Sequence, residues 1–573
     1  MQHVNQLNAL PEDAAFDLVV AGAGGAGMAA ALFAAMRGAR VLLVEGTGHV
    51  GGTTALSAGT SWIPGTRHGA QVNPDDSVEQ AARYLDHAIH SPRGRALREV
   101  FLREGAATVE ELEAHTEMKF RAYPRHPDYL SELEGSTMAG RALEPLPFDG
   151  RLLGPLFSLV RPPIPEFTVL GGMMVDRNDI GHLLNFTRSW ASLRHTIKLL
   201  ARHASDRLRH PRGTRLVMGN AHVGRLLYSL AQRDEVTLLL HTRLVELERD
   251  ANGAVCAAVL EQEGRRQRVR APGGVILASG GFNRHPQRRR HLLPGIDIAW
   301  CPGAPGHTGE AHEAAEAVGA RYGQDTPSPA FWAPVSCRRR PDGSVAVFPH
   351  FVMDRAKPGV LAVNQAGERF VNESTSYNQF GLAMQRAGAI PAYLICDAEA
   401  LRKYGLGMVR PGGRGLEPYL ADGYLVRGQT LAELAQALGI NGGRLARTVE
   451  RFNEHARAGH DPDFHRGETA YQRNLGDPAW PGPNPSLGPL TQGPFYALRL
   501  YPGDIGASMG FVTDTHTRVL DAAGDVIPGL YAVGNDMQSL MDGVYTGPGI
   551  TIGPGLVFAR QAARHACGRL GRS

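Results

Sequence analysis

The 573-residue chain has few cysteines, little net charge and no long apolar run. Its five cysteines (Cys256, Cys301, Cys337, Cys396, Cys567) are scattered and form no C-x-x-C pair. That excludes a disulfide-built scaffold and points to free thiols in a reducing, cytoplasmic setting. No metal site is expected. A formal charge of +4 over this length gives no field that would select nucleic acid. No stretch reaches the roughly 18 apolar residues that a membrane-spanning helix needs. Residues 1–15 carry Pro11, Glu12 and Asp13 and have neither an apolar core nor a twin-arginine pair, so no secretory leader is expected. What remains, 43% hydrophobic and 20% charged residues, describes a soluble globular protein too long for a single core.

Glycine, by contrast, is abundant, with 70 residues, and its placement is informative. An apolar strand, Phe16-Asp-Leu-Val-Val-Ala21, runs into Gly22-Ala-Gly24-Gly25-Ala26-Gly27 and then into an alanine-rich helix. Gly22, Gly24 and Gly27 fill the G-x-G-x-x-G spacing: a tight turn, close backbone approach to a pyrophosphate, and close helix–strand packing. The helix N-terminus offers free N–H groups to phosphate. Val41-Leu-Leu-Val-Glu45 supplies a second strand, and Glu45 with Gly46 falls where the ribose of an adenine dinucleotide is expected.

Further along, Val275-Ile-Leu-Ala278-Ser279-Gly280-Gly281 again reads as a parallel strand delivering glycines to a ligand. Val236 to Leu247, followed by Asn252-Gly253, reads as strands of a small sheet with a hairpin turn. The proline-rich segment 153–165 reads as a loop. Residues 186–210 combine Trp190, Leu193, Ile197, Leu199 and Leu200 with Arg188, Arg194, Lys198, Arg202, Arg207 and Arg209. Such a basic amphipathic helix can lie on an anionic membrane surface, a weak contact, but an outer helix with its apolar side on the protein is the simpler reading. The expected architecture is α/β: a Rossmann-like dinucleotide-binding domain (1–300, with an extra helical insertion at about 150–215), an inserted α+β substrate-capping domain (301–490), and a closing part of the first domain (491–573). The final helix, from Gly553 to about Gly568, should start at the cofactor.

A second small-residue loop, Gly51-Gly52-Thr53-Thr54-Ala-Leu-Ser57-Ala58-Gly59, follows Glu45 closely. A nicotinamide cofactor has little use for it, whereas the longer FAD runs on past its pyrophosphate and needs backbone contact there. With Gly274 to Phe282 and Gly529-Leu-Tyr-Ala-Val-Gly534-Asn535, these segments resemble, in order and over nearly the whole chain, the FAD scaffold of the fumarate reductase/succinate dehydrogenase flavoprotein superfamily. The resemblance implies non-covalent FAD. Residues 535–555 contain no Arg, Lys or His, which argues against a dicarboxylate clamp of the fumarate type.

That segment instead reads Tyr545-Thr-Gly-Pro-Gly549-Ile-Thr551-Ile552-Gly-Pro554 and resembles the signature of the 3-ketosteroid Δ1-dehydrogenases. Asn364 to Tyr377 and His126-Pro-Asp-Tyr129 resemble two further elements of that family. The resemblance implies Tyr129, Tyr377, Tyr545 and the Gly549 backbone as active residues. Removing an α proton beside a ketone builds charge on its oxygen, which Tyr545 O–H and Gly549 N–H would stabilise. Tyr377 as phenolate would take the proton, aided by Tyr129, and the flavin would take the β hydride. The partners implied are a hydrophobic ketone, a steroid first, and an external electron acceptor. Ser57, Asn372 and Asn535 are expected to satisfy cofactor or loop hydrogen bonds, and Tyr123 could be confused with Tyr129. For His126 and His350 structural roles are expected.

Two departures stand out: Gly506-Ala-Ser-Met-Gly510 replaces a Gly-Thr-Lys-Gly-Gly-like run, and Asp542-Gly543 stands where a His-Thr pair is usual. They leave open a 4-dehydrogenase, a desaturase of another cyclic ketone, an ene-reductase, or a flavin-binding sensor without turnover.

Overall fold

The computed structural model describes residues 1–572. The elements that position the site are, in chain order, β1 (Gln2–Val4), β2 (Leu18–Ala21), α1 (Gly25–Ala35), β3 (Val41–Val44), α2 (Arg177–Leu184), α3 (Trp190–Arg207), β4 (Val236–Leu239), β5 (Gly274–Leu277), β6 (Ala330–Arg339), β7 (Val345–Pro349) and β8 (Val360–Val363). They continue with α4 (Tyr377–Arg386), β9 (Ala392–Cys396), β10 (Val426–Gly428), β11 (Phe495–Ala507), β12 (Arg518–Leu520), β13 (Val526–Ala532) and α5 (Ile552–Arg569).

A seven-stranded sheet runs β1-β4-β3-β2-β5-β13-β12, parallel except for β12 against β13. Strands β2, β3, β4 and β5 are buried along their whole length, which explains their unbroken apolar runs. Helices α1 and α5 pack together on this sheet. Helix α1 is mostly alanine and glycine and is buried on nearly every face, so small side chains let it sit close. The carboxyl ends of β2, β5 and β13 converge, the place where open α/β sheets bind ligands.

A second, antiparallel sheet runs β7-β6-β11-β9-β8, with β10 also on β11. Strand β11 begins at Phe495, a segment expected to close the first domain, yet it pairs centrally between β6 and β9. Gly493-Pro494 marks a turn before its buried run Phe495–Leu498, but a turn followed by an apolar run fits a returning Rossmann strand and a strand of this sheet equally well. The expected small sheet at 236–247 also divides. Val236–Leu239 joins the parallel sheet beside β3, and Arg243–Arg249 forms a three-stranded sheet with Val255–Gln262 and Arg265–Arg270. His241, with φ 53°, marks the break. The Asn252-Gly253 turn is present, with Gly253 at φ 78°. The segment 153–165, read as a loop, is partly taken up by 3-10 turns over Gly150–Leu159, broken at Gly154.

Helix α3 reverses the expectation for its apolar residues. Its buried face is Ser192, Thr196, Leu199, His203 and Asp206. Outward point Trp190, Ile197, Leu200 and Leu208, the first and last 80% and 85% exposed. The cause is the surface beneath, which is polar: Asp206 accepts from Thr214 N–H at 2.8 Å, His203 Nε2 bonds Leu170 O at 2.8 Å, and Arg202 pairs Asp149 at 2.7 Å. Among the described residues no helix is long and apolar enough to cross a membrane, and all five cysteines are free.

Candidate active site

Between the two sheets lies one large cavity of about 620 Å³. Its floor is the set of glycine loops. Gly22, at φ 111°, could not carry a side chain, because a Cβ would lie 2.2 Å from Ala278 O. Gly27 likewise faces inward, its Cβ position 1.9 Å from Gly22 O. Gly24 differs: a Cβ there meets nothing within 4 Å, so its surface is open for another molecule to approach. Glu45 Oε2 accepts from Ala23 N–H at 3.0 Å and Oε1 from Thr47 N–H at 2.9 Å, leaving acceptor capacity on both oxygens for hydroxyl groups. An open glycine turn at a helix N-terminus, with a carboxylate beyond it, fits the adenosine and pyrophosphate of FAD.

Of the residues expected at a cofactor, Gly22, Gly24, Gly25, Ala26, Glu45, Gly46, Gly52, Thr53, Thr54, Ser57, Ala58, Gly59, Ala278, Ser279, Gly280, Gly534, Asn535, Gly549, Thr551 and Ile552 all line the cavity. Two do not. Gly27 packs α1 against the turn, and Gly51 donates to Ala23 O at 2.7 Å while its Cβ position is filled by Ala55 and Val223 at 2.9 Å. Both hold the loops together rather than face the cavity. Ser57 Oγ caps its own loop, accepting from Gly59 N–H at 2.9 Å. Asn372 bonds Phe464 O at 2.8 Å, away from the cavity.

Sequence reasoning missed three residues here. Asp536 is fully buried and ties the β5 and β13 loops together, accepting from Ser279 N–H, Gly281 N–H (2.7 Å) and His312 Nε2 (2.8 Å). Despite burial, His312 and these donors hold its carboxyl below the usual range. His307 lines the cavity against Gly280, and burial pushes its imidazole down to about 4. Arg161, also lining it, donates to Thr47 Oγ1 at 2.7 Å. Only Asp536, one residue past the Gly534-Asn535 pair, carried a signal in its position.

At the other end of the cavity the three expected tyrosines meet, drawn from distant parts of the chain. Tyr129 Oη donates to Tyr377 Oη at 3.1 Å. The Tyr129 and Tyr545 rings stack at 5.8 Å, and Tyr377 stands across Tyr545 at 5.2 Å. Tyr377 is the first residue of α4, whose N-terminal dipole favours negative charge. Tyr129 N–H donates to Thr546 O at 3.0 Å. Its neighbour Asp128 accepts from Trp62 Nε1 and Arg141 Nη1, both at 2.8 Å, fixing this loop from beneath. Gly549 adopts φ 89°, and its Cβ position lies 2.2 Å from Thr60 O. Its N–H donates to no group among the described residues. Burial pushes all three phenols above their ordinary value; at Tyr129, Tyr471 and Tyr545 add to the rise and the hydrogen bond to Tyr377 opposes it.

Tyr123 lines the cavity but stands outside this cluster, 3.4 Å from Thr60 Oγ1. His126 is pushed down to about 4 by burial and by the Arg177 charge, so it is neutral near pH 7. His350 bridges Asp354 (2.7 Å) and Ser336 (2.8 Å) in a buried network.

The family model described as "FAD binding domain" matches residues 17–552. The chain belongs to that family. It is 36% identical to a 4-oxocyclohex-2-ene-1-carboxylate 5-dehydrogenase of Sinomonas cyclohexanicum, over 98% of this chain and 95% of that protein. To a 3-oxosteroid 1-dehydrogenase of Mycolicibacterium smegmatis it is 35% identical, over 96% of each. The crystal structure of a 3-ketosteroid Δ1-dehydrogenase from Sterolibacterium denitrificans, in complex with 1,4-androstadiene-3,17-dione, superposes with a TM-score of 0.89 at 32% identity, covering 97% of this chain and 100% of that one. The protein is an FAD-dependent oxidoreductase of the dehydrogenase type, with the mixed α/β fold that its glycine pattern implied.

Proposed function

We propose that this enzyme introduces a C=C bond α,β to the carbonyl of a cyclic ketone, a 3-ketosteroid desaturated at C1–C2 being the leading substrate. The observation that carries this reading is the meeting of Tyr129, Tyr377 and Tyr545 in one buried cluster, in the cavity that Gly549 also lines. Tyr545 O–H and Gly549 N–H are neutral donors suited to an uncharged carbonyl, and their hydrogen bonds strengthen as charge grows on its oxygen. Tyr377 accepts the α proton, while Tyr129 donates a hydrogen bond to its oxygen and so favours the anion. Bound along the glycine loops, FAD supplies the acceptor for the β hydride, and an external acceptor restores it. Phe331, Phe348, Phe351, Val352 and Ile505 give the cavity an apolar wall and keep water from the reacting carbons.

Arg177 supports a second substrate class. It lines the cavity over the Tyr123 ring at 5.0 Å and has no ion-pair partner among the described residues. A small oxo-cyclohexane carboxylate would place its charge there, in keeping with the Sinomonas relative's name. The test is anaerobic mixing of the FAD-loaded enzyme with saturated 3-ketosteroids and with 4-oxocyclohexanecarboxylate while flavin absorbance is followed. Bleaching by steroids is expected. Bleaching by the keto acid alone, lost in Arg177→Met, would move the enzyme to the second class, and no bleaching by any cyclic ketone would sink the desaturase reading.

The exposed face of α3 adds a location. Trp190, Ile197 and Leu208 form an outward apolar stripe flanked by Arg194 and Lys198, which have no ion-pair partner among the described residues. Helix α2, packed on α3, lines the cavity through Arg177 and Ile180. Apolar groups between cations suit an anionic lipid surface, each basic residue adding about 1 kcal/mol near it. On this reading the cavity mouth draws its hydrophobic ketone from the bilayer. The full-length enzyme should sediment with phosphatidylglycerol vesicles and far less with phosphatidylcholine ones. A Trp190→Ser/Ile197→Ser/Leu208→Ser variant should lose that binding about tenfold or more and keep turnover of a water-soluble ketone. Equal sedimentation of variant and parent would end the proposal.

A further inference from the structure

Behind the tyrosine cluster sits a buried cation that the chemistry above does not use. Arg355 is fully buried, and among the described residues its guanidinium donates to main-chain carbonyls. Nε meets His350 O at 3.0 Å, Nη1 meets Glu373 O at 2.6 Å and also Thr375 O, and Nη2 meets Phe351 O at 2.8 Å. Among the described residues no carboxylate reaches the guanidinium. The adjacent Asp354 accepts Arg355's main-chain N–H at 2.8 Å, while its other oxygen is held by His350 Nδ1 and Gly407 N–H. Glu373 is occupied by Arg369 and Arg466. A desolvated cation without a counter-charge is costly, and it favours an anion forming close by.

The group next to it is a fourth tyrosine. Tyr471 lies against Arg355, and its ring stands 4.8 Å from that of Tyr129. Its hydroxyl is buried and has no hydrogen-bond partner in good geometry. Tyr129 in turn donates to Tyr377. The other titratable or charged groups facing the cluster are His126, neutral near pH 7, Arg177, whose charge reaches His126, the Asp128–Arg141 pair beneath Tyr129, and the His350–Asp354 pair; Arg355 is the fully buried cation among them that no carboxylate reaches. Its charge opposes the rise that burial imposes on Tyr129 and Tyr471.

We propose that Arg355, with the buried Tyr471 hydroxyl beside it, is the positioning residue whose charge lets Tyr377 carry the anion that accepts the α proton. This rests on the reading of Tyr377 as base. In that step the α C–H bond breaks, its electron pair moves toward the carbonyl oxygen, and the proton forms an O–H bond on Tyr377. Negative charge thereby passes from tyrosine to substrate, and Arg355 stabilises the state before the transfer.

The measurement is the pH profile of α-proton exchange with deuterated solvent, taken on FAD-loaded enzyme with a saturated cyclic ketone. Exchange should rise with pH as Tyr377 ionises. In Arg355→Met the midpoint should move up by about one pH unit or more, with exchange at neutral pH falling roughly tenfold per unit. Arg355→Lys, which keeps the charge, should restore most of the profile. Tyr471→Phe removes only an unpartnered hydroxyl, so a structural role predicts no change, whereas the proposal predicts a smaller upward shift. An Arg355→Met holoenzyme with the parent midpoint overturns the proposal. Should that variant not retain FAD, Tyr471→Phe decides: a raised midpoint supports the proposal and an unchanged one overturns it. Exchange retained in Tyr377→Phe would instead remove the underlying assignment of the base, a result distinct from either.

Discussion

Replacing Tyr377 by phenylalanine should abolish α-proton exchange and slow anaerobic flavin reduction by about 10²–10⁴-fold, the usual worth of a positioned base. FAD should stay bound. The Tyr377 hydroxyl accepts from Tyr129 at 3.1 Å, within the tyrosine cluster, and the ring keeps its packing against Phe351 at 4.8 Å. Tyr545→Phe should also lower turnover, for a different reason: it removes a donor to the developing oxyanion, typically a 10²–10³-fold loss. The two variants separate in deuterium exchange. Tyr545→Phe keeps a base and should retain slow exchange, whereas Tyr377→Phe should show none. Retained exchange in Tyr377→Phe would hand the base's role to another group, with Tyr129 the nearest.

Much of this site was legible in the sequence because its parts sit in local patterns. The glycine turn, the loop at Gly51–Gly59 and the late strand ending at Gly534 each carry backbone requirements that few other residues meet, and nearly all of those positions line the cavity. The tyrosines were legible only through their neighbours: Tyr545 lies in a glycine-proline loop, and Tyr377 follows an Asn-Glu pair. Arg355 and Tyr471 had no such context. Each reads as an ordinary surface or packing residue, and only the fold buries one behind the other. Helix α3 misled for a related reason. Its near-helical apolar spacing is genuine, but which side faces inward depends on Asp149 and Asp179, which lie outside the helix and pair with its Arg202 and His195. Strand β11 failed in the same way, since an apolar run does not say which of two sheets will receive it.

Gly22→Ala should cost the enzyme its cofactor through the fold itself. A Cβ at this position falls 2.2 Å from Ala278 O and 2.9 Å from Ser279 Cα, and φ of 111° adds strain of order 1–3 kcal/mol for any L side chain. The turn cannot relax alone. The loop it strikes is pinned by Asp536 through Ser279 and Gly281, so displacement spreads into the β5 and β13 ends that floor the cavity. FAD content of the purified protein should fall below about a tenth of stoichiometric, and the melting temperature should drop, since a core overlap of this kind usually costs about 1–3 kcal/mol or more. Gly24→Ala is the control that gives the result meaning. Its Cβ meets nothing within 4 Å, so the apoprotein should melt as the parent does while FAD binds more weakly, the methyl occupying the approach to the pyrophosphate. Equal FAD content and equal melting in Gly22→Ala would show that the turn accommodates a side chain and that the close contact with Ala278 does not shape the cofactor site. A Gly24 variant that binds FAD at parental affinity would place the pyrophosphate elsewhere along the loops. Two glycines two residues apart thus make opposite demands: Gly22 is required by the protein's own packing, and Gly24 by what the protein must hold.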